Sequence, residues 1–96
     1  MLNKLDNIYY VDFPIINEKK VDIDIKNEWH RQKEKWGKQP HTLLEWHLIL
    51  SKEFGEFSKA INEGKIDEIY DELIQVLAVA KKIACSIAKE DVWKLK

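Results

Sequence analysis

Three glutamates, Glu53, Glu56 and Glu72, and the amide Gln75 are the residues of this chain whose types and spacing point to chemistry. At about 100° per helical residue, Glu53 falls about 60° from the centre of an apolar stripe at Leu50, and Glu56 about 120°, in one row with Ile49 and Ala60. Glu72 falls about 100° from Leu73 in the following apolar segment, with Glu68 and Gln75 along the same edge. Glu53 and Glu56 precede Gly64 by 11 and 8 residues, and Glu72 and Gln75 follow it by 8 and 11. If Gly64 joins two antiparallel helices, the two pairs meet at one level. Carboxylates gathered at the edge of an apolar core repel one another and lose hydration unless a cation lies between them. Mg²⁺ suits such a group, because it takes hard oxygen ligands and keeps waters, leaving room for a polyphosphate; Mn²⁺ is the next choice. The same spacing also describes a solvated flank, since helices line the edges of an apolar stripe with charge. Spacing by itself leaves both readings open.

The elements that must position these residues are helices. Only five residues are glycine or proline, too few turn formers for a sheet-rich domain of 96 residues. Pro14, Gly37, Pro40 and Gly64 punctuate the chain; Gly55 does not, lying between Glu53 and Glu56 inside a helical stretch. A first helix is expected from about Asp22 to Trp36, on the spacing of Ile25, Trp29 and Trp36, with Gly37 as its stop. Thr42-Leu-Leu-Glu45 is a capping-box pattern that starts a second helix, running to about Glu63 with Leu43, Trp46, Leu50, Phe54, Phe57 and Ile61 on its apolar stripe. A third, from Ile66 to about Lys89, stacks Ile66, Ile69, Leu73, Val76, Leu77, Ala80, Ala84 and Ile87. The short break at Gly64-Lys65 makes the second and third an antiparallel hairpin. The chain thus divides into an N-terminal extension, residues 1–21, partly extended around Ile8-Tyr-Tyr-Val-Asp-Phe-Pro14, and a helical domain, residues 22–96.

Composition narrows the classes. Sixteen basic and 17 acidic residues leave a net charge of −1, and no basic block exceeds a Lys-Lys pair, which argues against nucleic-acid binding. The longest apolar run, Val76 to Ala80, is far too short for a bilayer, and the first residues lack the apolar core of a signal peptide, so no membrane partner is expected. A single cysteine, Cys85, in an apolar stretch is expected to be a small buried residue in a reducing, cytoplasmic setting. His30, His41 and His47 lack the i, i+4 spacing of metal ligands and are expected to be structural or solvent-exposed. A domain this small has a marginal core of its own, and its ten aromatic residues favour association with a second copy. Gly55 would leave room for the first helix or for that second copy.

Two stretches carry a resemblance. Lys52-Glu53-Phe54-Gly55-Glu56 followed by Asp71-Glu72-Leu73-Ile74-Gln75 resembles the paired E-E-x-x-E and E-x-x-D motifs of the MazG-like all-α nucleotide pyrophosphohydrolases. Arg31-Gln32-Lys33-Glu34-Lys35-Trp36-Gly37-Lys38-Gln39 is similar to the R-Q-x-x-K-W-G-x-Q segment of short MazG-like proteins, phage-encoded ones included. With Asp71 to Ala80 extending the last block, the resemblance covers about residues 24–88. It implies an all-α fold, a helical hairpin with a shorter N-terminal helix that forms a four-helix-bundle core as a homodimer or homotetramer. It also implies Mg²⁺-dependent hydrolysis of a (deoxy)nucleoside triphosphate to its monophosphate and pyrophosphate. Glu53, Glu56 and Glu72 match metal-ligand carboxylates. Gln75 stands where the family usually has aspartate, and offers an amide oxygen but no charge and no base. Lys52 replaces the first glutamate of the pattern. Glu56 is the candidate for orienting or deprotonating the attacking water, Lys35 and Lys52 for contacting phosphate, Trp36 for stacking on the base, and Gln32 and Gln39 for reading its edge. Trp36 is equally readable as a core or interface residue. Two other functions remain open: a non-catalytic nucleotide binder with a degenerate metal site, and a helical interaction module.

Overall fold

The computed structural model describes residues 17–36 and 41–89, the side chains of Trp36 and Lys89 excepted. Among them are three α-helices, α1 (Glu18–Trp36), α2 (Leu43–Asn62) and α3 (Ile66–Lys89), and no strand. None of these helices is long and apolar enough to cross a membrane. The extended reading of Ile8 to Pro14, and Gly37, Gln39 and Pro40, lie outside the described residues.

Local chemistry sets the helix ends. At the start of α2 the Thr42 hydroxyl accepts the Glu45 N–H at 3.1 Å while the Glu45 carboxylate accepts the Thr42 N–H at 2.8 Å. This reciprocal cap satisfies two N–H groups that a helix start leaves unpaired and contributes about 1 kcal/mol. At the other end the chain turns through Gly64 with φ of 68°, a left-handed conformation that glycine adopts without a steric penalty. Lys65 N–H closes the turn on the Ala60 carbonyl at 2.9 Å. Both features stand where the sequence places them. The beginning of α1 does not: the helix starts at Glu18 rather than Asp22, so residues 18–21 belong to it and not to the extension. The Asn17 carbonyl accepts the Val21 N–H at 3.1 Å, Glu18 lies at the positive end of the helix dipole, and Lys20 pairs with Asp24 at 2.6 Å. Polar contacts of this kind leave no apolar periodicity to read.

α3 is the central element, packed by α2 on one side and by α1 on another. The core corrects the expected stripes. Among the described residues its buried apolar members are Ala60, Ile74, Ala78 and Val79, whereas Leu43 and Phe54 of the expected α2 stripe are 60% and 55% exposed, and Leu77 of the α3 stripe 37%. On α2 the buried face centres on Glu53 and Ala60, about 60° from Leu50. The reason is geometric: α1 packs against α3 but makes no comparable contact with α2, so the rest of the two stripes, Trp46, Leu50, Phe57, Leu73 and Val76 among them, is only half-buried. Gly55 faces away from this core: a Cβ there would meet nothing within 4 Å, so α1 is not what its small size admits. Cys85 is exposed rather than buried, one turn past Lys82; α1 meets α3 near Lys82 through Gln32, close to its own end at Trp36.

Gln32 joins α1 to α3. It is 1% exposed; its amide nitrogen donates to Glu28 at 2.9 Å and to the Gln75 carbonyl at 3.2 Å, and its amide oxygen accepts from Lys82 at 3.1 Å. Burial pulls the Lys82 ammonium down to about 8, against the attraction of Glu28. Gln32→Ala removes three hydrogen bonds at a buried helix interface, and should destabilise the protein by about 2–3 kcal/mol, read as a lower urea midpoint at unchanged slope. A change below about 0.5 kcal/mol would show that the bridge contributes little.

Candidate functional site

Glu53, Glu56 and Glu72 come together, each offering an oxygen that lies within 4.8 Å of the others. The antiparallel hairpin brings this about: α2 and α3 diverge from the Gly64 turn with equal rise, so residues at equal separation from it face each other. Glu53 is buried, at 6% exposure. Its Oε2 and the Oε2 of Glu72 are both shielded from solvent and have no hydrogen-bond partner. Burial, then the nearby Glu56 and Glu72 carboxylates, push the Glu53 carboxyl above its ordinary range, against the pull of Lys35 and Lys52. Burial likewise raises Glu72, with Glu56, Glu68 and Asp71 adding to the effect.

An orphaned buried carboxylate costs more than a surface one, and two side by side repel. Three such oxygens can converge on one hard cation. At the usual bond length of about 2.1 Å, ligands on an octahedral Mg²⁺ lie about 3.0 Å apart when adjacent and about 4.2 Å when opposite, so oxygens within 4.8 Å of one another must close by up to about 1.8 Å, a movement that rotation of glutamate side chains supplies. The donor set therefore fits a divalent ion, and the chemistry open to it is the neutralisation of phosphate charge beside a water.

Other sequence-derived candidates surround the group. Lys35 and Lys52 lie close enough to act on the Glu53 charge. Arg31, quoted in the resemblance but assigned no task there, also feels Glu53 and forks onto Glu28 with contacts of 2.8 and 2.6 Å. Gln75 stands one turn after Glu72, half-buried, at the side of α3 that meets α1. Gln32 is committed to the α1–α3 bridge, with its amide engaged at both ends. The Trp36 side chain and Gln39 lie outside the described residues. His30 and His47 are exposed, while His41 sits edge-on to Trp46 at 4.9 Å. Sequence reasoning missed Arg31; its signal was the spacing to Lys35, which places both cations on one side of α1.

No protein-family model, curated protein or solved structure matches the chain.

The raised carboxyls predict a pH dependence. In the folded protein Glu53 and Glu72 hold their protons above the ordinary value of 4.5. The stability that comes from protonating them is complete below 4.5 and is lost as pH rises through the raised folded values. Glu28 moves the opposite way: burial disfavours its charge, but hydrogen bonds from Arg31 and Gln32 hold it below 4.5, so its own loss begins at more acid pH. The metal-free protein should therefore show a higher urea midpoint at pH 5 than at pH 7. Equal midpoints, or the reverse order, would count against mutual repulsion in this group.

Proposed function

We propose that the protein is a nucleoside triphosphate pyrophosphohydrolase, cleaving (deoxy)nucleoside triphosphates to the monophosphate and pyrophosphate with Mg²⁺, or Mn²⁺, held by Glu53, Glu56 and Glu72. The observation that carries this reading is the pair of buried, unpartnered oxygens, Glu53 Oε2 and Glu72 Oε2, in a group of three carboxylates. The likeness of residues 52–56, 71–75 and 31–39 to MazG-like motifs supplies the substrate class. When bound, the ion neutralises the triphosphate. Glu56 orients the water that attacks the α-phosphorus and takes its proton; the bond from that phosphorus to the bridging oxygen breaks, and pyrophosphate leaves. Lys35 and Lys52 hold phosphate oxygens, and Gln75 adds a neutral oxygen donor.

The assembly belongs to the same reading. Phe54 and Leu77, 55% and 37% exposed, offer apolar surface to a second copy, which completes a four-helix core as a homodimer or homotetramer. The compartment that fits is the cytoplasm, where the exposed Cys85 stays reduced. The test is pyrophosphate release from a panel of NTPs and dNTPs with Mg²⁺. Turnover of at least one supports the reading, and turnover of none overturns it.

A non-catalytic nucleotide binder is the alternative, favoured by Lys52 and Gln75 standing where the motifs carry acids. Gln75→Asp separates the two: activity that appears only in the variant identifies a degenerate enzyme, whereas activity already present in the natural chain dismisses the alternative.

A further inference from the structure

Beside the glutamates a groove of about 470 Å³ opens between α1, from Lys20 to Arg31, and the first half of α3. It reaches the acidic group from two directions. On α3 its wall includes Asp71 and Gln75, which flank Glu72 in sequence. On α1 its wall includes Arg31, the guanidinium that feels Glu53. At about 100° per residue, Asp24, Asn27, Glu28 and Arg31 share one side of α1 with Lys35, so the groove continues the same side of the helix that faces the acids.

Its charges exclude a second phosphate. Three acids, Asp24, Glu28 and Asp71, line it against two bases, Lys20 and Arg31. Both bases are engaged: Lys20 with Asp24 at 2.6 Å and with the Tyr70 hydroxyl, Arg31 with Glu28. A polyanion finds no unengaged cation here. What the groove does offer is neutral recognition. The Asn27 amide, the Gln75 side-chain amide and the Asp71 carboxylate have no hydrogen-bond partner among the described residues, and all three line the groove. Two amides present donors and acceptors together, the complement of a heterocyclic base edge, and a carboxylate accepts from sugar hydroxyls. Tyr70, 38% exposed, adds apolar surface, with its ring held in place by Asp24, which accepts the Tyr70 hydroxyl at 2.6 Å, and buried Ile74 forms the floor. The volume lies within the range of small-molecule sites.

We infer that this groove, between Asn27 and Arg31 of α1 and Asp71 and Gln75 of α3, binds the base and sugar of the nucleotide whose phosphates lie on Glu53, Glu56 and Glu72. The inference rests on the proposed function for the phosphate end only; the groove itself recognises an uncharged nucleoside.

Titration of the full-length ¹⁵N-labelled protein with free nucleosides, with no phosphate and no metal, tests the groove alone. At least one of adenosine, guanosine, cytidine, uridine and thymidine should shift amides of residues 24–31 and 70–75 in a saturable way. Asn27→Leu, at an exposed helical position, should weaken that binding at least tenfold while leaving a separate titration with Mg²⁺ alone unchanged. No saturable shift with any nucleoside, or an affinity untouched by Asn27→Leu, overturns the groove assignment. Failure of Mg²⁺ to shift amides around Glu53, Glu56 and Glu72 overturns the phosphate end instead, and the nucleoside result is read independently of it.

Discussion

Glu53→Gln is expected to do two opposite things: abolish Mg²⁺-dependent pyrophosphate release, by at least about 100-fold, and make the metal-free protein more stable. Glutamine keeps the size of the side chain and removes its charge. In the natural protein Glu53 is 6% exposed, its Oε2 has no partner, and Glu56 and Glu72 repel it. Removing that charge relieves burial and repulsion together, and the new amide can donate to either neighbour, a gain on the order of 1 kcal/mol. Loss of activity has a separate cause. Even residues that merely support a metal ligand cost 10–100-fold when replaced, and a direct ligand should cost at least the upper end of that range. A third readout ties the two together. An ion that binds only the folded state stabilises it by about 2.7 kcal/mol at one hundred times its dissociation constant, so Mg²⁺ should raise the melting temperature of the natural chain and not of the variant. Glu72→Gln should behave alike. A variant less stable than the natural chain, with no Mg²⁺ effect in either, would return the three acids to a solvated flank of the helices.

Phe54→Asp combined with Leu77→Asp should convert the protein to a monomer. Phe54 and Leu77 are apolar residues that stay exposed within one chain, at 55% and 37%. In a single chain the two substitutions are surface changes, costing about 0.5 kcal/mol or less each. In an interface each would bury a carboxylate against apolar surface in every copy, at a penalty of several kcal/mol. Standard interfaces bury about 800 Å² per partner, and the ease with which a few charges dissolve one distinguishes a true contact from tolerated exposure. Sedimentation at about 10 μM should give a dimer or tetramer for the natural chain and a monomer of near-unchanged helicity for the variant. A natural chain that already sediments as a monomer would leave the apolar side without its proposed partner.

The capping box at Thr42 and Glu45, the Gly64 turn and the extents of α2 and α3 were legible in the sequence because each depends on a few neighbouring residues. The start of α1 was not, because a polar first turn held by Asn17, Glu18 and Lys20 has no apolar period. Nor was the core: the stripe through Leu43, Leu50 and Phe54 is the most apolar side of α2, yet Glu53 and Ala60 lie inside. Amphipathicity identifies the side that is stable when covered, not which neighbour covers it. Gln32 illustrates the same limit, since its amide could be spent on a ligand or on a helix bridge, and only the approach of Lys82 and the Gln75 carbonyl decides for the bridge.

By itself the sequence determined that this chain is helical, where α2 and α3 begin and end, and that Glu53, Glu56 and Glu72 stand at matched distances from the turn between two helices. Periodicity, capping and chain reversal are properties of residues near one another, and one hairpin carries them into space. Only the tertiary structure decided that one oxygen of Glu53 and one of Glu72 are shielded without a hydrogen-bond partner, that Arg31 belongs to their surroundings, and that a groove opens next to them. Each of these depends on where α1 lies against α3. No local rule sets that docking; it follows from packing, which the chain settles only as a whole.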